Sequence, residues 1–283
     1  DMLHLTVHGP WFLTIYWEVP LLAMISEIYF EDKWCEKLEK DGLKRLDDKI
    51  KINNSVPFKF ADFGTRRRFS GRWQRQVVGQ LKNHCANFVG TSNVMFAKEF
   101  GLTPIGTMAH ELFMVGEAIY PLRDFQKNIL KVWLDEYEGQ LNTALTDTIG
   151  IVVFLKDFNL HLSNAYSKLR HDSGDPFTFA NKILQHYKKI GIDPTTKGIV
   201  FSDGLNFDLA SKLHKAYNDK INVSMGIGTN LTHDFDGIIP LQIVIKIVEC
   251  NGRPVAKISD SPGKGMCRDD EYVKYLKKVF KVV

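Results

Sequence analysis

Gly198-Ile199-Val200-Phe201, four residues without a charge, run straight into Ser202-Asp203-Gly204. The amphipathic segment Phe207–Asn218 follows, and Ile221–Met225 then opens into Gly226-Ile227-Gly228-Thr229-Asn230. A short apolar run bounded by turn residues reads as a buried strand, and the longer periodic segment behind it reads as a helix. Two strands separated by a helix pair in parallel through a βαβ crossover rather than as a hairpin.

The same rhythm extends back towards the N-terminus. Phe58–Phe63 leads to a helix at Ser70–Asn83, Ala86–Gly90 to one at Val94–Phe100, and Thr103–Gly106 to one beginning near Ala109. Asn142–Leu145 leads to Ile149–Phe158, and Ser163–Arg170 to Phe177–Ile190. Seven such units in one run predict an α/β fold closed into an irregular barrel rather than an open sheet.

Both ends break the rhythm. Trp11, Ile15, Leu22, Ile25 and Tyr29 recur at helical spacing between Pro10 and about Asp47, with a kink or division expected at Pro20. In the tail, Leu241–Glu249 and Pro254–Ser259 flank Cys250-Asn251-Gly252-Arg253, a strong hairpin signal, and a helix is expected over Asp269–Phe280. The hairpin should leave the barrel and pack elsewhere. The expected organisation is therefore a helical segment over residues 1–56, a barrel over 57–235, and a hairpin and helix over 236–283 on a flanking α+β part.

Composition sets bounds on function. The 283 residues correspond to about two domains by length. With 44% hydrophobic and 25% charged residues the chain is neither disordered nor fibrous. The 37 basic and 33 acidic residues leave +4, too weak an excess to announce a nucleic-acid partner. Trp11–Ile25 is interrupted by Glu18 and Pro20 and is shorter than the roughly 20 residues of a bilayer span, so no membrane partner is expected. No basic leader precedes it, and Cys35, Cys85, Cys250 and Cys267 are scattered, which fits reduced thiols and a cytoplasmic protein.

In a barrel the loops after the strands share one rim, where chemistry is done. Here they are Gly64-Thr65-Arg66-Arg67-Arg68, Gly90-Thr91-Ser92-Asn93, Gly106-Thr107-Met108-Ala109-His110-Glu111, Arg170-His171-Asp172-Ser173-Gly174-Asp175, Ser202-Asp203-Gly204 and Gly226–Asn230. Glycine turns bring backbone N–H groups to phosphate oxygens, and hydroxyls add donors. Aspartates suit ribose hydroxyls or a Mg²⁺-bound diphosphate. Singly, each motif is also an ordinary turn, helix cap or solvated basic face. Their phase, one at the end of nearly every strand, points to a phosphorylated, polyhydroxylated ligand.

Phe63-Gly64-Thr65-Arg66-Arg67-Arg68-Phe69-Ser70 resembles the signature segment of the nicotinate phosphoribosyltransferases, bacterial and fungal type. The 90–93, 106–111, 170–175 and 226–229 loops fall in that family's order. Val248–Gly252 with Ser259–Lys264, and Trp17-Glu18-Val19-Pro20-Leu21-Leu22, resemble it as closely. The resemblance implies a type II phosphoribosyltransferase barrel. It also implies transfer of phosphoribosyl from 5-phosphoribosyl 1-diphosphate to nicotinate, coupled to ATP hydrolysis through a phosphohistidine, with Mg²⁺ and in a homodimer.

By motif position the phosphohistidine is His110, with Glu111 beside it in the catalytic set. Thr107, Arg170, Arg66 and Arg67 are implied for nicotinate. Gly226, Gly228, Thr229, Asp172, Asp203, Ser92 and Asn93 are implied for phosphoribosyl diphosphate, and Asp172 with Asp175 for the metal. The family opens with a further N-terminal region carrying a ring-stacking aromatic residue. Its counterpart is not found here, so a fragment with exposed apolar surface on its first helix and tail hairpin is expected. A nicotinamide- or quinolinate-specific relative, an inactive fragment serving as a binding partner, and RNA binding through Arg66–Arg68 are the alternatives.

Overall fold

A computed structural model describes residues 3–282. Helix α1 (Trp11–Thr14) runs through a 3-10 turn at Ile15–Trp17 into α2 (Glu18–Phe30), and α3 (Glu36–Ser55) follows. The break expected at Pro20 falls one turn earlier. Pro20 occupies the first turn of α2, where a missing N–H costs nothing. With a closing 3-10 turn the stretch Trp11–Lys33 is 23 helical residues containing an 18-residue window of mean hydropathy 1.2, long and apolar enough by length and composition to cross a membrane. In the fold it lies against the sheet domain, burying Leu22, Ala23, Ser26 and Phe30. Its outer face exposes Phe12, Tyr16, Ile28 and Tyr29, as expected from the sequence.

The repeating part begins with β1 (Phe60–Asp62), α4 (Gly71–His84), β2 (Phe88–Thr91), α5 (Val94–Phe100), α6 (His110–Ile119) and α7 (Phe125–Tyr137). It continues through β3 (Thr143–Leu145), α8 (Ile151–Asp157), α9 (Leu160–Ala165), β4 (Lys168–His171) and α10 (Pro176–Lys189). It ends with β5 (Gly198–Phe201), α11 (Phe207–Tyr217), β6 (Asn222–Ile227) and α12 (Thr229–Thr232). Six strands form one sheet in the order β2-β1-β6-β5-β4-β3. Every pairing is parallel, so all six strands end on one edge.

Helix starts follow their caps. Ser70, Asn93, Asp175 and Asn206 each accept the N–H three residues on, and Pro176 opens α10. The seventh expected strand, Thr103–Gly106, is reduced to a bridge between Thr91 and Pro104, because proline has no N–H to continue a ladder. The expected strand Ser163–Arg170 is two elements, since Asn159 caps α9 through the N–H of Leu162 and pulls residues 160–165 into a helix. Phe58, Phe60, Trp73, Phe201 and Phe207 lie in one apolar core.

The tail is the largest departure. Strands β7 (Glu249–Cys250) and β8 (Arg253–Pro254) are two residues each, and helix α13 (Asp270–Phe280) closes the chain. Asn251 and Gly252, at φ 52° and 71°, make the two left-handed positions of a type I′ turn. Beyond these, Val255 donates to the Val248 carbonyl and Lys257 forms a single antiparallel bridge with Met266, and the chain returns to the rim instead of leaving it. The Ile151 N–H donates to Asp260, the Gly174 N–H to Ser261 Oγ at 2.8 Å, and Lys264 pairs with Asp203. All four cysteines are free.

Glu117 ties α6 to this tail. Its Oε2 accepts from the Ala256 N–H and the Tyr272 hydroxyl, both at 2.9 Å, while Oε1 is buried without a partner among the described residues. Burial pushes its pKa up to about 8. Between the unfolded carboxyl value near 4.3 and this folded value, the native state binds the extra proton. Stability therefore falls as pH rises through that window. Glu117→Gln is expected to flatten the decline, matching wild type near pH 5 and melting several degrees higher at pH 8.5. Parallel melting curves at the two pH values check it.

Candidate active site

Arg170, at the end of β4, is held from three directions. Its Nε donates to Ser202 Oγ at 2.8 Å, Nη1 to Thr107 Oγ1 at 2.6 Å and Nη2 to Asp172 Oδ1 at 2.6 Å. Its guanidinium lies over the Phe63 ring, 5.8 Å from the centroid. Phe63 is itself fixed, because a Cβ on Gly226 would come within 2.5 Å of its ring. A rigid, planar cation framed by hydroxyls at a strand end is suited to recognising a carboxylate.

His110 opens α6 beside this group. Its Nε2 lies 2.7 Å from Asp147 Oδ1 and 3.6 Å from Asp172 Oδ2. Burial holds the imidazole below its ordinary pKa despite the neighbouring carboxylates. Asp147 is the opposite case: burial alone would raise it, yet His110, Lys257 and the Ser173 hydroxyl hold it ionised. The network therefore assigns a neutral imidazole with its proton on Nε2, donated to Asp147. Nδ1 has no hydrogen-bond partner among the described residues and keeps its lone pair. The N-terminus of α6 favours added negative charge here.

Asp147 and Lys257 lie outside the strand-end motifs singled out in the sequence, and Ser173 and Phe63 lie within them without an assigned role. Lys257 Nζ is 3.1 Å from Asp147 Oδ2, and Ser173 Oγ donates to the same oxygen at 2.6 Å. Asp147 follows β3, so the strand-end rule that found the other loops also reaches it. Its loop, Thr146-Asp147-Thr148-Ile149-Gly150, carries its glycine turn only at the last position, φ 107°, inside the segment that the periodicity assigns to the following helix. Lys257 comes from the tail and carries no local signal.

Of the expected residues, Thr107, His110, Arg170 and Asp172 are brought together, and Asp203 closes one side through Lys264. Arg66 and Arg67 stand on the same rim. Arg67 Nε donates to the Ile243 carbonyl at 3.0 Å, and burial, with Arg66 beside it, lowers its pKa. Gly228 packs close to the Phe63 carbonyl, with Thr229 opening α12.

Three further expected sites are engaged elsewhere in the fold. Glu111 faces away from the His110 cluster; its Oε1 accepts the Ile247 N–H at 2.9 Å and its Oε2 the Trp11 indole at 3.3 Å, so it anchors chain segments. Asn93 uses its side chain to cap α5 and to reach Gln74, while the N–H of Ser92 is bonded to the Asp62 carbonyl. Asp175 is outside the cluster, its Oδ1 capping α10 at 2.7 Å from the Thr178 N–H.

Three carboxylate or imidazole groups, His110, Asp147 and Asp172, lie close enough to share a cation. Asp147 is already matched by Lys257, and Asp172 Oδ1 by Arg170 and Ser202. Only Asp172 Oδ2 remains free of such partners. One free carboxylate oxygen leaves most of an oxygen coordination shell to be supplied from outside the protein.

Comparison with known proteins agrees with this geometry. Residues 58–283 match the sequence model of the nicotinate phosphoribosyltransferase (NAPRTase) family. The chain is 47% identical over 282 residues to a nicotinate phosphoribosyltransferase of Xanthomonas campestris, covering 98% of this chain and 70% of that one. It is 49% identical over 289 residues to one of Ectopseudomonas mendocina, covering 99% and 72%. The crystal structure of the Vibrio cholerae nicotinate phosphoribosyltransferase superposes with a TM-score of 0.93 at 44% identity, over 97% of this chain and 69% of that one. The strand-and-helix order, the site and these similarities agree: the chain belongs to the nicotinate phosphoribosyltransferase family.

Proposed function

We propose that the chain transfers phosphoribosyl from 5-phosphoribosyl 1-diphosphate to nicotinate, releasing diphosphate, and couples this to ATP through His110. The observation that carries the reading is the neutral His110 with a free Nδ1 at a helix N-terminus, 2.7 Å from Asp147 through its other nitrogen. Nδ1 attacks the γ-phosphorus of ATP, the bond to the bridging oxygen of ADP breaks, and ADP leaves. Hydrolysis of the phosphohistidine returns phosphate. Asp147 fixes the tautomer and keeps the imidazole aimed. The added charge beside Lys257 and Arg170 changes the affinity for the anionic substrates, which is how a remote hydrolysis is coupled to binding.

Arg170 with Thr107 takes the nicotinate carboxylate, and the Gly226–Thr229 turn takes the 5′-phosphate. Asp172 would hold Mg²⁺, which supplies neutralisation of phosphate charge when bound. The leaving diphosphate faces Arg66 and Arg67, whose fixed charge favours the transition state in which negative charge develops there. Nicotinamide lacks the charge that Arg170 is set to meet. With the two bases in competition, nicotinate mononucleotide is expected to exceed nicotinamide mononucleotide at least a hundredfold, and ATP is expected to raise its yield. Turnover of nicotinamide or quinolinate in preference to nicotinate would overturn the substrate reading.

A further inference from the structure

Trp17-Glu18-Val19-Pro20 is a motif without an assigned role. Glu18, the first residue of α2, places Oε1 2.8 Å from Arg66 Nη1 and 2.7 Å from Lys246 Nζ. The carboxylate and the ammonium are nearly buried, with side chains 12% and 9% exposed, while the Arg66 guanidinium keeps 36% of its surface open. Lys246 belongs to the tail stretch without sheet partners. That stretch is fastened on either side of it, by Arg67 to the Ile243 carbonyl and by Glu111 to the Ile247 N–H.

One carboxylate oxygen therefore holds two cations that come from segments 180 residues apart in sequence. The carboxylate of Glu111, bonded to the Ile247 N–H, also acts on Lys246, so three cations, Arg66, Arg67 and Lys246, stand against two carboxylates and leave a surplus of one positive charge. A partly buried positive surplus whose most open member faces the rim is built to be completed by an anion. Guanidinium N–H groups not used by Glu18 are the donors available to it.

We infer that Glu18 is a positioning residue that holds Arg66 and Lys246 together as a two-cation clamp for a phosphate of the phosphoribosyl donor. The inference rests on the proposed transferase reaction. Glu18 touches neither substrate. It sets the direction of Arg66 and keeps Lys246, which would otherwise repel it, within the same site.

The test is steady-state kinetics of the purified enzyme with each substrate varied in turn, for Glu18→Gln, Arg66→Lys and Lys246→Met. All three are expected to raise the KM for phosphoribosyl diphosphate about tenfold, with that for nicotinate within twofold; kcat stays within threefold for Glu18→Gln and Lys246→Met and falls further for Arg66→Lys, which faces the leaving group. A rise in the KM for nicotinate in place of that for phosphoribosyl diphosphate would overturn the assignment. Adding Lys246→Met to Glu18→Gln should cost less than a further twofold, because one unit is already broken. Unchanged KM values for both substrates in Glu18→Gln, equal changes in both accompanied by a lower melting temperature, or additive effects in the double variant would each overturn the clamp. Where Glu18→Gln folds poorly, Lys246→Met decides alone: a KM change shared with Arg66→Lys supports it, and no change refutes it. Failure of the transferase reading itself is distinct, since the wild type would then form no nicotinate mononucleotide.

Discussion

Arg170→Lys is expected to lower kcat/KM for nicotinate by about a hundredfold, mostly through KM, in the folded enzyme. The guanidinium in the wild type meets Ser202, Thr107 and Asp172 with three different nitrogens and lies over Phe63. A lysine ammonium has a single centre and cannot keep these directions while presenting a paired face to a carboxylate. It also leaves Asp172 Oδ1 short of a charged partner. Losing one charge-assisted bidentate contact is worth about 2–3 kcal/mol, which is the stated factor. Initial rates at saturating phosphoribosyl diphosphate measure it, and a decrease below tenfold would mean that Arg170 is a scaffold for Thr107 and Ser202 only.

His110→Ala is expected to have the other large effect, the loss of ATP coupling. Alanine removes the only imidazole of the cluster and leaves Asp147 facing Lys257 and Ser173, which already satisfy its Oδ2 at 3.1 and 2.6 Å. The site should therefore stay assembled, with little change in melting temperature. Nicotinate mononucleotide formation without ATP should persist at its basal rate, while stimulation by ATP disappears. Such a split separates loss of the nucleophile from collapse of the fold. Comparison of rates with and without ATP in both proteins checks it.

How far this was readable in the sequence depends on whether the signal was local. Helix α5 and strand β5 end where the pattern places them, because Asn93 and Gly101 close one and turn residues bound the other. The strand-end loops carried Thr107, His110, Arg170 and Asp172 to one rim because parallel pairing leaves no other arrangement. The tail was misread as long strands for a physical reason. Its alternating apolar residues fit a sheet, but Ile243, Ile247 and Ala256 bond to the Arg67, Glu111 and Glu117 side chains and Ile258 to the Thr148 carbonyl, partners scattered through the chain. Glu111 and Asn93 show the converse limit: a residue inside a chemical motif can be occupied by anchoring and capping. Asp147, Lys257 and the partnership of Glu18 with Lys246 exist only after folding, since the paired residues lie 110 and 228 positions apart.

The account turns on His110 as the phosphoryl carrier, and one measurement meets it directly. Wild type and His110→Ala are incubated with γ-labelled ATP, quenched in base, and split between acid and base treatment. The predicted result is label on the wild type that survives base and is lost in acid, as a phosphoramidate requires, with none on His110→Ala. Equal label on both proteins, or label on neither under conditions where nicotinate mononucleotide forms with ATP consumption, would contradict it.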